Sequence, residues 1–318
     1  MRILVTGGAG RLGINICRAL LNSGFQVRVF DLDNERNRKS IKRLGGRAEV
    51  LWGDITQPDS VREALEGVDT VVHMAGILPP VAYEKPELAR MVNVGGTETI
   101  VAQIKEKGRY IPLIFTSSVA VFGPTPNAEE PISPNRNAPN PKGMYGETKL
   151  EAENVIKASG IDYLILRLTA VMYFDHEVSD LKRMFSVPLN NRIEFCHPDD
   201  LAVAVVNAVR QFDDLTGNTL VISGGPDQRM LYKDMVGSIL RVMGLPLPPA
   251  DKFTREPYYL DWYDTSKSQK LLDFQRKTFA HYLEDYSSGL KKRYSALFIP
   301  WMRYFVGPLL GKVVVRFM

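Results

Sequence analysis

Near its start the chain carries Thr6-Gly-Gly-Ala-Gly-Arg-Leu-Gly13. Gly8, Gly10 and Gly13 fit the spacing G-x-G-x-x-G, and Gly7, Gly10 and Gly13 fit G-x-x-G-x-x-G. Ile3-Leu4-Val5 directly before the turn has the pattern of a strand, and Leu12–Asn22 directly after it that of a helix. The glycines permit a tight turn and let the backbone approach a pyrophosphate, while the helix start aims its amides and positive dipole end at that group. Asp31 closes the next strand-like run, Val27-Arg-Val-Phe-Asp31. A carboxylate at that distance accepts hydrogen bonds from ribose hydroxyls and repels a 2′-phosphate. The combination points to a dinucleotide site that takes NAD in preference to NADP. Arg28, Arg36 and Arg38 are the nearby cations that would receive a phosphate instead. Asp33 reads as a solvated turn residue or a helix cap.

The rest of the first 170 residues repeats this alternation. Short apolar runs stand at Glu49–Trp52, Thr70–Met74, Leu113–Phe115 and Tyr163–Leu166, with helical patterns at Val61–Leu65, Leu88–Lys107 and Tyr145–Ser159. Runs that short and that apolar suit strands buried on both faces, hence an α/β Rossmann fold: a doubly wound parallel sheet covered by helices. Gly123 to Asn140 is rich in Pro and Asn and reads as a long surface loop. Beyond Ala170 the alternation loosens. The expected organisation is a nucleotide-binding domain over 1–170, to which 197–223 return as a helix (Asp199–Gln211) and a strand (Thr219–Ile222). A smaller C-terminal substrate-binding region takes 171–196 and 224–285, and 286–318 form a basic apolar tail.

Two further segments carry chemistry. Phe115-Thr-Ser-Ser118 ends a strand-like run, and Tyr145-Gly-Glu-Thr-Lys149 opens a helical one. Residues four apart share a helix face. An ammonium there is expected to stabilise the Tyr145 phenolate and draw its pKa down from about 10, and an oxidised nicotinamide adds positive charge. The phenolate then takes a proton from a secondary alcohol as hydride leaves carbon, with a strand-end serine hydrogen-bonded to the same oxygen.

With these segments in this order, the chain resembles the extended short-chain dehydrogenase/reductase family, the group of NAD-dependent epimerases and dehydratases, over roughly residues 1 to 275. The resemblance implies an NAD(P)-dependent oxidoreductase or epimerase with Ser118, Tyr145 and Lys149 as catalytic residues. It assigns cofactor contacts to Gly7, Gly10, Arg11, Leu12, Gly13 and Asp31. Asp54 and Ile55 would meet the adenine side. Met74, Ala75 and Gly76 of His73-Met-Ala-Gly76 would pass under the cofactor, with Asn93 on the inner face of the fourth helix and Tyr145 and Lys149 at the nicotinamide ribose. His197-Pro-Asp-Asp200 and Asp264-Thr-Ser-Lys267 resemble later family elements. The family often dimerises through four helices, so a homodimer is implied.

The departures bear on substrate. Family dehydratases carry Asp-Glu after the catalytic hydroxyl residue; here Val119-Ala120 stand there and cannot move protons, which disfavours 4,6-dehydration. Leu166-Arg-Leu-Thr-Ala170 lacks the asparagine that sugar-nucleotide epimerases place near the diphosphate. Arg192 stands five residues before His197, where their diphosphate arginine stands four before. Phe122 replaces the tyrosine common before Gly123. The substrate is a small molecule, a sugar nucleotide or something lipid-like. Alternatives to the first reading are an enzyme like the 3β-hydroxysteroid dehydrogenases acting at a membrane surface, and a non-catalytic dinucleotide sensor, against which the intact Ser118, Tyr145 and Lys149 argue.

Charge and cysteine content bound the remaining classes. The chain has 40 Lys and Arg against 36 Asp and Glu, but residues 286–318 hold six of the cations and no acid, leaving 34 against 36, a formal −2, for the body. The basic excess is therefore not a nucleic-acid footprint. The tail, Ser295 to Met318, mixes aromatic, aliphatic and basic residues. Pro300 and Pro308 interrupt it, and no uncharged run nears the ~20 residues needed to span a bilayer. It suits either peripheral contact with anionic lipid, about 1 kcal/mol per basic residue, or packing on protein. Two cysteines, Cys17 and Cys196, give no disulfide framework, and Met1-Arg2 leads straight into the first strand, so the expected setting is cytoplasmic. No His, Cys or carboxylate cluster has metal-ligand spacing. His73 and His197 read as structural, and His176 and His281 carry no partner pattern.

Overall fold

The computed structural model describes residues 1–126, 128–169, 171 and 184–293. Seven parallel strands form one sheet in the order β3-β2-β1-β4-β5-β6-β8. They are β1 (Arg2–Thr6), β2 (Gln26–Asp31), β3 (Glu49–Trp52), β4 (Thr70–His73), β5 (Leu113–Ser118), β6 (Tyr163–Leu168) and β8 (Thr219–Ile222). The order reverses direction between β1 and β4, and that switch point opens a crevice at their carboxyl ends. Register puts Thr6 beside His73 and His73 beside Phe115, so β1 and β4 end level while β5 runs on past them at the crevice.

The helices on the way along the chain are α1 (Arg11–Asn22), α2 (Glu35–Ile41), α3 (Pro58–Ala64), α4 (Val81–Glu84), α5 (Pro86–Arg90), α6 (Gly96–Glu106) and α7 (Met144–Ala158). They are followed by α8 (Pro198–Arg210), α9 (Phe212–Leu215), α10 (Tyr232–Met243), α11 (Ser266–Leu272) and α12 (Phe279–Arg293). Alternation along β1 decides which layer each residue feeds. Ile3 and Val5 face α1 and α8, whereas Leu4 faces α3, α6 and α7. With period-two side chains buried on both faces, a strand is expected to be apolar over its central residues, as β1 is at Ile3-Leu4-Val5.

Two elements differ from expectation. The helical pattern over Leu88–Lys107 is interrupted by one π-helical turn at Met91–Gly95, between α5 and α6. β5 runs three residues past Phe115, because Thr116, Ser117 and Ser118 continue to pair with Leu166, Arg167 and Leu168 of β6. Hydroxyl side chains there hide the strand from a pattern based on hydropathy.

The later segments build a second cluster. β7 (Arg192–Glu194) pairs antiparallel with β9 (Arg229–Leu231). Phe195, Tyr232, Met235, Val236, Phe253, Tyr263, Tyr282 and Tyr286 fill its core. The buried Glu194 carboxylate organises it, accepting from Gly225 N (2.9 Å), Arg229 Nε (3.0 Å) and Tyr263 N (3.0 Å). The Pro- and Asn-rich stretch after Gly123 is tied to this cluster through Ile132, whose N donates to Trp262 O at 2.8 Å and whose O accepts from Asp264 N at 2.9 Å. α12 continues through Tyr286, which is buried. Residues 294–318, the bulk of the tail, lie outside the described residues, as do His176 and most of 171–196 up to Met184.

Candidate active site

The turn after β1 is built for backbone proximity. Gly7 has φ +70°, and a Cβ on it would lie 2.8 Å from Ala75 N. A Cβ on Gly13 would lie 2.4 Å from Gly7 O, so the first turn of α1 rests on the loop itself. Gly10 is the milder position, at 3.1 Å from Gly7 O. Gly10 also precedes α1 with no side-chain cap, leaving the first helical residues Arg11, Leu12 and Gly13 to present main-chain N–H groups at the crevice. A cradle that added Cβ atoms would fill, at an uncapped helix start, fits a pyrophosphate.

Asp31 ends β2 beside this turn. Its Oδ2 accepts from Ala9 N at 3.0 Å, and its Oδ1 accepts from Leu32 N (2.8 Å) and Asn37 Nδ2 (3.0 Å). Burial pushes its carboxyl above the ordinary range, opposed by these donors. The three neighbouring arginines differ in place. Arg28 is buried, donating to Ala64 O (2.8 Å) and Glu66 O (2.6 Å) and pairing with Glu49 at 2.9 Å. Arg38 is paired with Asp33. The helix cap is Asn34, not Asp33: its Oδ1 accepts from Asn37 N at 2.9 Å. With Arg28 and Arg38 engaged, the geometry favours a ribose without a 2′-phosphate.

On the other side of the switch point, a hydroxyl–imidazole chain shapes the segment after β4. Thr97 Oγ1 donates to Asn93 O at 2.7 Å, and the same oxygen lies 3.0 Å from His73 Nε2. Because the hydroxyl proton is engaged, Nε2 must carry the imidazole hydrogen. Nδ1 then accepts from Thr6 Oγ1 at 2.7 Å, and Thr6 Oγ1 accepts from Met74 N (3.1 Å) and Ala75 N (3.2 Å). His73 is thus a fully buried neutral strut. Its pKa is pushed down to about 3 by burial, with the Lys149 charge adding to the effect. Asp54 Oδ1 folds back on Thr56 N (2.9 Å) and Oγ1 (2.8 Å), and Ile55 is buried against Gly96. Asn93 sits in the π-helical turn with its amide engaged at both ends. Oδ1 accepts from Ile77 N (2.7 Å), and Nδ2 donates to Ile77 O (3.1 Å) and Thr148 Oγ1 (3.0 Å). It therefore links the loop after β4 to α7.

Ser118 ends β5, and its Oγ accepts from Ala120 N at 3.2 Å to start a short helical turn, Val119–Phe122. α7 begins one residue before Tyr145, where Glu147 Oε1 reaches back to Gly143 N at 3.2 Å. Gly146 allows α7 to meet that turn: a Cβ on it would lie 2.5 Å from Ala120 O. The close approach brings Tyr145 to Ser118, and Tyr145 and Lys149 share the buried face of α7. Lys149 Nζ donates to Thr116 O at 2.9 Å and lies 4.7 Å from the Phe115 ring centre. A Cβ on Gly76 would lie 3.6 Å from that nitrogen. Ser118, Tyr145, Lys149, Gly76 and Asn93, far apart in sequence, thus meet at the crevice.

One expectation about this group is corrected. The Tyr145 phenol is pushed up to about 12, not down, because burial outweighs the hydrogen bond from Ser118; the neighbouring Tyr83 and Tyr258 also push it up. Burial pulls Lys149 down to about 8. Without a further positive charge the phenol stays protonated.

The rim is aromatic. Ala82 and Ile77 pack with Tyr145, turning Leu78, Val81 and Tyr83 outward, all three exposed. Tyr258 and Tyr259 stack at 4.2 Å, and their hydroxyls are 2.9 Å apart. Arg192 does not face this space as a lone cation. It donates to Ala128 O at 2.7 Å, lies 3.6 Å from Asp261 and stands 4.5 Å over the Trp262 ring. His197, Asp199 and Asp285 do come together, which spacing did not suggest. However, Lys277 Nζ stands 2.6 Å from Asp199 and 3.6 Å from Asp285, and His197 Nδ1 accepts from Asp199 N at 3.1 Å to cap α8. Cys196 is buried. The residues missed in the sequence are those acting through neighbours: Thr97, Gly146, Glu153, Tyr258 and Tyr259. Only Glu153 left a signal, four positions after Lys149.

A parallel doubly wound sheet with an uncapped glycine turn at its switch point defines a Rossmann-type dinucleotide-binding fold. Residues 3–223 match the model of the NAD-dependent epimerase/dehydratase family, and the chain belongs to that family. It is 34% identical over 172 residues to a 3β-hydroxysteroid dehydrogenase/Δ5→4-isomerase of Mycobacterium tuberculosis, covering 52% of this chain and 44% of that protein. To D-erythronate dehydrogenase of Cupriavidus necator it is 27% identical over 290 residues, covering 80% and 86%. The chain spans between 36% and 52% of the length of the curated relatives it matches at more than 30% identity. Among solved structures, UDP-glucuronic acid 4-epimerase from Bacillus cereus shares the fold, with TM-score 0.77, 23% identity and coverage of 91% and 100%.

Proposed function

We propose that the chain transfers hydride between a secondary alcohol or ketone and NAD, on a substrate that presents an uncharged apolar ring rather than a diphosphate. The observation that carries the chemistry is the meeting of Ser118, Tyr145 and Lys149 beside Gly76. NAD, when bound, supplies the hydride acceptor and a positive charge next to the buried phenol. Gly7, Gly10, Arg11, Leu12 and Gly13 hold its pyrophosphate, Asp31 its adenosine ribose, Asp54 and Ile55 its adenine side, and Met74, Ala75 and Gly76 the nicotinamide half. Lys149 holds the nicotinamide ribose, and Asn93 positions the Ile77 loop and α7. Tyr145 Oη removes the hydroxyl proton of the substrate while Ser118 Oγ holds the same oxygen. Only the phenolate can accept that proton, and with the phenol held up at about 12 its own proton would leave to solvent only under the added positive charge that bound NAD would supply, so bond breaking is tied to cofactor occupancy.

The rim supports this substrate class. The engagement of Arg192 with Ala128, Asp261 and Trp262 removes the cation best placed for a diphosphate. Leu78, Val81, Tyr83, Tyr258 and Tyr259 offer apolar and aromatic surface instead. We take 184–196 and 224–285 as the substrate-binding region. The 3β-hydroxysteroid dehydrogenase relative and the sterol demethylase protein B of Methylococcus capsulatus, 33% identical over 180 residues, support a fused-ring alcohol.

The test is a panel of hydroxysteroids, other fused-ring alcohols and sugar nucleotides, with NADH formation followed at its absorbance band. Turnover is expected for ring alcohols. Tyr145→Phe is expected to lose at least about a hundredfold in turnover while retaining NAD affinity. Full activity in that variant overturns the chemistry; turnover confined to sugar nucleotides overturns the substrate class.

A further inference from the structure

Lys149 has a second charged neighbour on its own helix. Tyr145, Lys149 and Glu153 recur every four residues along α7 and share its buried face. The Glu153 side chain is wholly inaccessible, which for a carboxylate demands compensation. It receives four hydrogen bonds: Ser117 Oγ (2.6 Å) and Arg167 Nε (2.9 Å) donate to Oε1, and Arg167 Nη2 (2.7 Å) and Lys157 Nζ (3.1 Å) to Oε2. Ser117 immediately precedes Ser118. The Arg167 guanidinium lies 4.7 Å from the Phe122 ring, which closes the short turn that Ser118 opens. The carboxylate therefore grips the chain on both sides of Ser118 from the helix that carries Tyr145 and Lys149.

We propose that Glu153 is a positioning residue of the active site: it locks the strand end that presents Ser118 to α7, and its negative charge keeps the buried Lys149 ammonium charged. An amide here would satisfy only two of the four donors and set its own N–H groups against the other two, so the site calls for a carboxylate. Lys149 is buried with a backbone carbonyl and an aromatic face for company. The Glu153 charge raises the Lys149 pKa against the fall that burial imposes.

The inference rests on the proposed role of Lys149, but its test needs no substrate. The Cε resonance of Lys149, in protein carrying 13C-labelled lysine and assigned by its absence from Lys149→Arg, is titrated with pH. In the parent protein a midpoint near 8 is expected. In Glu153→Gln the midpoint falls by about one pH unit, and in Glu153→Asp it returns toward the parent value. An unchanged midpoint in a folded Glu153→Gln protein overturns the proposal. If that variant does not fold, the side-chain carboxyl carbon of Glu153 in the parent protein decides: it is expected to move at the Lys149 midpoint and not to move in Lys149→Met. No movement in the parent overturns the proposal as well. Loss of the proposed ring-alcohol activity, by contrast, would leave this titration untouched.

Discussion

The central residue of the site is not its acid–base group but the imidazole beneath it. His73 sits between two hydroxyls whose protons are already directed, so the ring has one neutral tautomer compatible with its partners. The folded protein resists protonating it until about pH 3, whereas an unfolded chain takes up that proton near 6.5. Between pH 6.5 and 5 the unfolded state therefore binds more protons than the folded state, and stability is expected to fall with falling pH by up to about 1.4 kcal/mol per pH unit. His197, also held below its ordinary value by burial, adds in the same direction. Urea unfolding at a series of pH values checks this, and a His73→Gln variant is expected to be less stable overall but with a shallower pH slope. The neutrality of His73 was not visible in the sequence, where it is one histidine after two valines. It depends on Thr6 and Thr97, which stand 67 and 24 positions away.

Among the elements, the β1–α1 turn and α7 work by close approach. Gly13 and Gly10 look equivalent in the G-x-G-x-x-G spacing, yet the space around them differs. A methyl on Gly13 meets backbone at 2.4 Å, whereas one on Gly10 meets it at 3.1 Å. Gly13→Ala is expected to destabilise the chain by about 1–3 kcal/mol and to weaken NAD binding at least about tenfold, with Gly10→Ala less affected on stability. Calorimetric titration with NAD, alongside thermal unfolding, checks both; equal effects would show that the helix start relaxes. The motif and its flanking strand and helix were legible because their period and glycines are local. The π-helical turn around Asn93 was not, since it places one amide against Ile77 and Thr148 rather than satisfying any pattern of its own.

For the whole molecule, the described fold closes on α12. Phe279, Tyr282 and Tyr286 lie on one stripe of that helix, with Phe279 and Tyr282 against Phe195 and Tyr282 stacked on Tyr286. These contacts all precede residue 294. Among the described residues no helix is long and apolar enough to cross a membrane. The composition of 294–318, with basic and aromatic residues and no acid, leads us to expect that removing it abolishes sedimentation with anionic vesicles while leaving the thermal midpoint unchanged. Retained sedimentation would turn attention to the exposed Leu78, Val81 and Tyr83.

The sequence by itself determined the strand–turn–helix at Gly7–Gly13 and the parallel sheet, and it singled out Asp31 and the trio Ser118, Tyr145 and Lys149 as candidates. Each rests on spacing within one element or on a short apolar run. Tertiary structure decided what those groups are in chemical terms. Burial, not the lysine four residues on, governs the Tyr145 phenol. Arg28 is a sheet-flank anchor and not a phosphate ligand, and Arg192 is bound to Ala128 O, Asp261 and Trp262. Glu153 reaches from α7 to Ser117 on β5 and Arg167 on β6. Protonation and ion pairing depend on which distant groups share a low-dielectric space, and no local pattern carries that information.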